Sequence, residues 1–554
     1  MASKEVKYVD MTDKELEKML NKAQNKPLTK AEIDKLRNMG ETLKFILGEL
    51  DKKRVSVKRL QKLIFGEQSE KLSKLDIEKE IKDYQLAETE EDLEEDSKID
   101  KVNKVPSDKS DRKKAKGHGR LKADDYNGAE QIYVKHPDLK HKQKCPKCNK
   151  GKIYQQKQPQ VFIRFTGSAP VDAKVWRLEQ FRCGSCGATF VAPLPKAAGP
   201  PEKHDASVTS TIALMRYGFG MPFNRLATLQ KNVGIPLPAT TQWDLVNRAA
   251  DEIESVFVAL MREASCGDVV YNDDTTSTVL ERIKELNQNK TSGKKNERVG
   301  TYTTGILSTT DKIKVALYLT GSNHAGENLQ KVLSYCEIKD RSIIQMCDGS
   351  ANNTPHELPD GLKLIESNCM SHARRKYVEI ADSFPEKCLH VLRELGKIYK
   401  NDKTTRKEKM TSQERLAYHQ KYSKSVIDDL KNWLQQQLDE KEVEPNSSFG
   451  KAIAYMLKRW DKLTKFLTVA SVPLDNNICE RALKRAIRHR KNSMFYKTLH
   501  GAYVGDMFMS LIHTCELNKV NPFDYLTKLI AAGDKVKENP ELWFPWLFCE
   551  NKNR

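Results

Sequence analysis

The chain has 554 residues, enough for about three to five domains of ordinary size. Lysine and arginine number 95 against 76 aspartates and glutamates, a formal net charge of +19 that favours a polyanionic partner, nucleic acid foremost. Apolar runs reach about six residues against the ~20 of a bilayer span, which excludes a membrane protein, and the opening Met-Ala-Ser-Lys-Glu-Val-Lys lacks the apolar core of a signal peptide. Twelve cysteines are sparse for a secreted disulfide scaffold; four of them fall in CxxC pairs, which points to metal in a reducing cytosol.

Residues 1–81 are read as helical. Thr12-x-x-Glu15 and Thr29-x-x-Glu32 are capping-box signals, separated by a break at Pro27. From Leu36 the apolar positions Met39, Leu43, Ile46, Leu50, Val57, Leu60 and Ile64 step by three and four, with Lys53 in one slot. This is a coiled-coil seam of about four heptads. It fits a dimerising zipper and an amphipathic hairpin packed on its own domain equally well.

Residues 82–120 are read as a charged flexible linker, acidic through Asp100 and basic from Lys101. With so little apolar content the segment cannot offset the entropy of ordering. Lys113 and Lys114 in its basic half are candidate phosphate contacts, although a solvated spacer fits as well.

Cys145-Pro-Lys-Cys148 and Cys183-Gly-Ser-Cys186 follow, with 34 residues between the pairs. Each CxxC forms a tight knuckle that aims two thiolates at one point, and two knuckles supply the four sulfurs of a closed structural Zn²⁺ site. The alternation at Val161, Ile163 and Phe165 suits the strands of a zinc ribbon, assigned to 121–200.

Beyond a Pro-rich link at 193–201, the block 201–262 predicts three helices, at 206–217, 222–232 and 241–262. The order suits a helix-turn-helix, and suits a plain three-helix unit as well. Between 268 and 347 the period becomes that of strands, with a helix at 325–336. Residues 374–470 and 474–530 read as helical. The chain is therefore multidomain α/β.

Three segments place carboxylates where chemistry would want them. Asp273 and Asp274 end the strand of Tyr271-Asn-Asp-Asp-Thr-Thr, and Asp348 ends the strand Ile343-Ile-Gln-Met-Cys-Asp beside Gly349. Glu480 opens a helix in Asp475-Asn-Asn-Ile-Cys-Glu-Arg, where Asn477-x-x-Glu480 reads also as a capping box. Each alone fits a solvated turn or a cap. Converging, the three would repel unless a divalent cation sat among them; Mg²⁺ takes oxygen ligands and keeps positions for water and phosphate. The helix continues with Arg481, Lys484, Arg485, Arg488, Arg490 and Lys491, a basic face for an anionic backbone, with Leu483 and Ile487 turned to the core.

These motifs, with Cys369-Met-Ser-His-Ala-Arg-Arg-Lys and Arg490-Lys-Asn-Ser-Met-Phe, resemble the DDE transposases of bacterial insertion-sequence family sixty-six, the TnpC type. The resemblance covers most of the chain, including the zipper end at Phe65-Gly-x-x-Ser69-Glu70, the Cys₄ module and Pro222-Phe-Asn-Arg. It implies an RNase H-like core in two parts, 263–373 and 473–530, interrupted by a helical insertion at 374–472 and followed by a tail at 531–554. Asp273, Asp348 and Glu480 carry over as the catalytic triad, with two Mg²⁺ or Mn²⁺ ions. His372, Arg374 and Arg375 match a second signature in supporting or phosphate-contacting roles, and Asn477 and Asp274 are further supporting residues. The family pattern has Asp-Glu-Thr where this chain has Asp273-Asp274-Thr275, so the choice between the adjacent aspartates stays open, with Asp273 preferred.

The implied activity is cleavage of DNA at element ends and joining of the 3′-hydroxyls to target DNA, by a cytoplasmic, nucleoid-associated bacterial protein. The partners are end and target DNA and a second protomer, as a homodimer or higher oligomer through the zipper; a need for accessory proteins is left open. A non-catalytic zinc-ribbon DNA-binding protein and an RNase H-like nuclease are the alternatives.

Overall fold

The computed structural model describes residues 202–550 apart from 292–297 and 339, together with 22, 29–30, 32–34, 141–144, 146, 152–154, 169–182, 189–193 and 195. The zipper, the charged linker and all four CxxC cysteines lie outside the described residues. By internal packing the chain divides into two units, 1–83 with 381–389, and 84–380 with 390–554. In the first, the Glu32 half of the expected Thr29-x-x-Glu32 capping box forms: the Thr29 amide and hydroxyl each donate to Glu32 Oε2 at 2.8 Å, while the Glu32 amide donates to the Thr29 carbonyl.

Two short strands, β1 (Gln180–Arg182) and β2 (Thr189–Val191), pair antiparallel. The helical block follows as α1 (Ala206–Ala213), which continues through a π turn at Leu214–Gly218, α2 (Phe223–Asn232) and α3 (Ala239–Ser265). The α3 helix buries Val246, Ala249, Ile253, Val256, Phe257, Leu260 and Ala264, spaced by three and four along one stripe. These residues join the same hydrophobic core as strand residues Ile306, Leu317 and Ile343. The block is thus built into the wall of the α/β core through the buried stripe of α3, while Phe219, Leu229 and Val233 stay exposed.

The central sheet has five strands: β3 (Val269–Thr276), β4 (Tyr302–Thr309), β5 (Lys314–Gly321), β6 (Arg341–Cys347) and β7 (Leu362–Asn368). Their order is β5-β4-β3-β6-β7. The first three form an antiparallel meander, and β6 and β7 add in parallel on the other side of β3. A parallel addition requires a crossover, which contains α5 (Ala325–Leu333); α4 (Leu280–Thr291) fills the β3–β4 connection. Sequence reading anticipates β3 to β6 and α5, and misses β7 and α4.

After α6 (Met370–Glu379) come α7 (Pro385–Lys407), α8 (Ser412–Tyr422), α9 (Lys424–Asp439) and α10 (Ser448–Lys458). The chain then returns to the sheet with α11 (Asn477–Ser493), α12 (Leu499–Leu517) and α13 (Pro522–Ala532). Among the described residues, no helix is long and apolar enough to cross a membrane.

The edge strand β5 has its open N–H groups taken by α12. Asp506, Ser510, Thr514 and Asn518, four apart on the helix, accept from the amides of Thr320, Tyr318, Ala316 and Lys314 at 2.6, 2.9, 3.0 and 3.2 Å. A helix advances about 6 Å over four residues and a strand about 6.6 Å over two, so the two repeats run in step. An edge that would otherwise template strand pairing is closed by side chains.

Candidate active site

Strand alternation settles where the adjacent aspartates point. In the β3–β4 register Asp273 lies opposite Gly305 and Asp274 opposite Thr304, and successive residues face opposite sides of the sheet. On the Asp274 side sits α5: His324 Nδ1 lies 2.9 Å from Asp274 Oδ2, the Ala325 amide donates to the same oxygen at 3.3 Å, and Asn328 Nδ2 donates to Thr304 Oγ1 at 2.7 Å. Asp274 therefore anchors the start of a helix. On the Asp273 side sits α11: Cys479 Sγ donates to the Gly305 carbonyl at 3.4 Å, and a Cβ on Gly305 would stand 3.1 Å from Leu483 Cδ2. The missing side chain at 305 lets α11 seat against the strand and brings Glu480, in its first turn, over Asp273.

Asp348 arrives from the parallel neighbour. The β3–β6 ladder pairs Val269 with Ile344, Val270 with Gln345 and Tyr271 with Met346; carried two residues further, it brings Asp273 beside Asp348. The turn after β6 fixes that carboxylate, whose Oδ1 accepts from the Ser350 amide and from Asn353 Nδ2, both at 2.7 Å. Gly349 adopts φ +81°, the left-handed region that glycine enters without strain. From α10 and the residue that caps it, Tyr455 Oη donates to the Asp348 carbonyl at 2.9 Å and Arg459 to the Gly349 carbonyl at 3.2 Å. The helical insertion thus clasps the Asp348 turn.

A buried amide network ties the three acid-bearing elements together. Gln345 Nε2 donates to Asn272 Oδ1 at 2.8 Å and to the Asn353 carbonyl at 2.7 Å, and Asn272 Nδ2 donates to that carbonyl at 2.7 Å. Asn476 Nδ2, at the foot of α11, donates to the Asn272 carbonyl at 3.3 Å. The Cys369 amide donates to the Cys347 carbonyl at 2.8 Å, and the Met370 amide to the Leu474 carbonyl at 3.1 Å. These bonds favour one arrangement, since breaking any of them strands a buried partner, although Gln345 Oε1 and Asn476 Oδ1 find no partner among the described residues.

The electrostatics report the convergence. Burial pushes the Asp273 carboxyl up to about 7, helped by the negative charges of Asp348, Asp274 and Glu480. Glu480 is met from the other side by α6, with Arg375 Nη2 at 3.1 Å and His372 Nδ1 at 3.5 Å. Burial depresses the His372 imidazole.

Two comparisons with known proteins follow from this geometry. Residues 203–504, more than half of the chain, match the family described as Transposase IS66 family. The chain belongs to that family. Among curated relatives, the Sinorhizobium fredii (strain NBRC 101917 / NGR234) protein named "Uncharacterized protein y4hP" is 29% identical over 385 residues, 66% of each chain. From the same organism, "Uncharacterized protein y4jD" is 30% identical over 204 residues, 36% of this chain and 37% of its own. The chain therefore aligns with no more than about two thirds of either relative's length.

The donor set of this IS66-family chain suits a hard divalent cation, the class of ion its family uses. All three converging groups are carboxylates, and Glu480 Oε1 is buried with no hydrogen-bond donor among the described residues. Among the described residues, the cluster whose ligand atoms lie within 4.8 Å of one another is Cys369 Sγ, a His372 ring nitrogen and a Glu480 oxygen; the three carboxylates are spaced more widely than that. That trio suits a metal less well: burial raises the Cys369 thiol far above its ordinary range, and its sulfur accepts the Asn476 amide at 3.2 Å.

The basic residues named from sequence divide. Lys484, Arg488 and Lys491 are exposed on α11. Arg485 pairs with Glu516, and Arg490 donates to Thr276 at the end of β3. Arg481 is half-buried, and Arg375 pairs with Glu480. Arg374 is buried at 6% exposure, which puts its guanidinium inside the fold and away from a surface phosphate. Lys113 and Lys114 lie outside the described residues. Asn477 is the first residue of α11 and its side chain donates to Asp475 at 3.2 Å; the cap position belongs to Asn476, so the expected Asn477-x-x-Glu480 capping box does not form. On the same helix Leu483 is buried as expected, whereas Ile487 is only half-buried. Gly305, Asn272, Gln345, Asn353 and Asn476 were invisible to motif reading, because each acts through a partner distant in sequence.

Proposed function

We propose that this chain is an RNase H-like DNA transposase that cleaves the ends of its element and joins the freed 3′-hydroxyls to target DNA. The observation that supports the reading is the β3–β6 register, which carries Asp273, inside β3, beside Asp348 just after β6, together with the charge of Glu480 felt at Asp273. A meander of three strands followed by two parallel ones supports the RNase H-like assignment. Asp273 and Asp348 would hold magnesium or manganese jointly, and Glu480 would complete the site. Two such ions supply activation of the attacking oxygen and charge neutralisation at the leaving oxygen of a phosphodiester.

The chain's own groups do the rest. The amide network keeps three like-charged carboxylates together. Arg375 orients Glu480 by donating to its Oε2, and the depressed His372 beside it adds no second positive charge. Lys484, Arg488 and Lys491 would hold the DNA backbone along the exposed face of α11.

End recognition would fall to the zinc ribbon. Each CxxC lies between residues that pair antiparallel: Lys144 with Lys152 around the first, and β1 with β2 around the second. The antiparallel pairs flanking both CxxC motifs support a closed Cys145–Cys148–Cys183–Cys186 zinc site. The zipper would pair protomers, because two ends must be brought together. Action on DNA places the protein in the bacterial cytoplasm, at the nucleoid.

The test is Asp348→Asn. It should abolish Mg²⁺-dependent strand cleavage of end-bearing DNA while DNA affinity stays within about threefold, the carboxamide keeping the shape of the group. Continued cleavage would reject the assignment. Strand-joined products, as opposed to nicks alone, separate a transposase from an RNase H-like nuclease. Binding without cleavage by the unaltered protein would favour the non-catalytic reading.

A further inference from the structure

The far end of α11 presents three apolar side chains to solvent. Met494 is 72% exposed, Phe219 62% and Phe495 38%. Met494 sits at φ +68°, a conformation that a side-chain-bearing residue adopts only when its surroundings hold it there. The surroundings do hold it. Tyr496 is buried and forms a parallel bridge with Val279; its amide donates to the Thr278 carbonyl at 2.9 Å, and its carbonyl accepts from Leu280 at 3.0 Å. On the other side Arg216 donates to Ser493, and a Cβ on Gly220 would stand 3.2 Å from Asn492 Nδ2. The turns carrying Phe219 and Met494–Phe495 are therefore both pinned to the end of one helix.

This apolar tip lies next to the acidic centre. Met494 and Phe495 share a small pocket with Thr275 and Thr276, and Thr275 is two residues, or about 7 Å, along β3 from Asp273. Exposed Arg488, Lys491 and Lys497 lie within six residues of Met494 along the chain, and a Cβ on Gly220 would stand 3.6 Å from the stem of Arg488. Rigid aromatic and thioether surface with exposed cations close by in the chain suits one class of ligand: a nucleobase unstacked from its neighbours, with its phosphates held by the cations. A protein surface would meet the same cations as unpaired charge.

We propose that Phe219, Met494 and Phe495 form a stacking platform for unpaired bases of the strand that enters the acidic centre. The inference rests on the DNA reading above and adds to it the place where the duplex opens. The platform holds single-stranded bases beyond the scissile position, and the exposed cations hold the phosphates between them.

The experiment uses the full-length protein without divalent metal, so that binding is read apart from cleavage. Two fluorescein-labelled 20-base-pair duplexes are compared by anisotropy, one blunt and one with a five-nucleotide 3′ overhang carrying 2-aminopurine. The unaltered protein should bind the overhang duplex more tightly and change the 2-aminopurine emission. Met494→Ala/Phe495→Ala should weaken overhang binding about tenfold, leave blunt binding within twofold, and abolish the emission change. Phe495→Trp should retain the preference. Unchanged overhang binding by the alanine variant overturns the platform, as does an equal loss for both duplexes. Failure of the unaltered protein to bind either duplex overturns the DNA reading itself.

Discussion

Gly305 stands directly across the β3–β4 ladder from Asp273, and the space its absent side chain leaves is taken by Leu483. That packing sets the height of α11 above the sheet and therefore the reach of Glu480. Gly305→Val should push the helix outward, at a cost of about 1–3 kcal/mol for overpacking. Cleavage should fall at least a hundredfold while zinc content is unchanged. Thermal unfolding and Mg²⁺-dependent nicking check the two halves; full activity in a folded Gly305→Val protein would show that α11 does not depend on this contact.

The adjacent aspartates should separate cleanly. Asp273→Asn removes a group that faces Asp348 and Glu480, and should abolish cleavage. Asp274→Asn weakens the contact with His324 and the start of α5, and should lower stability by about 1 kcal/mol while retaining measurable cleavage. Inactivity of Asp274→Asn with an unshifted unfolding midpoint would reverse the assignment.

Asp506 gives a pH dependence. Burial pushes its carboxyl up to about 7, although Thr320 donates to it from both amide and hydroxyl. The unfolded value is about 3.9, so the folded state binds the proton more tightly. The stability this group contributes is full below pH ~4 and is lost as pH rises through ~7. Asp506→Asn removes that slope. The stability of the unaltered protein minus that of the variant, measured by urea unfolding, should fall between pH 5 and pH 8. Parallel profiles would contradict the raised value. The subtraction matters because Asp273 titrates in the same range and with the same sign.

The zinc reading predicts one bound zinc per chain. Cys183→Ser should release it to a chelating dye and weaken DNA binding, with the Asp273–Asp348–Glu480 chemistry left in place. An unchanged zinc content would reject the ribbon.

The sequence carried the acids more clearly than their supports. Asp273 and Asp348 announce themselves because an apolar β-run leads into each, and Glu480 because a basic amphipathic helix follows it, although β3 continues to Thr276, past Asp273 and Asp274 where the sequence reading ends it. The local pattern places all three on the elements where the structure finds them. Asn272, Gln345, Asn353 and Asn476 look like ordinary polar residues in the chain, since their bonds join positions up to 204 residues apart. Arg374 illustrates the reverse error: a basic residue in a basic motif reads as a surface cation, and only tertiary packing shows it buried. The β7 strand was missed because Leu362–Asn368 is half-buried and polar, without the apolar run of β6. Polar Asp506, Ser510, Thr514 and Asn518 gave no hint of edge-strand closure, because that role exists only once β5 lies alongside.

The most direct measurement is a crystal structure of the full-length protein in manganese, phased to show anomalous scattering. The account predicts manganese density bounded by the carboxylates of Asp273, Asp348 and Glu480, and its loss in Asp348→Asn. Manganese bound elsewhere, or these three carboxylates too far apart to share it, would contradict the central claim.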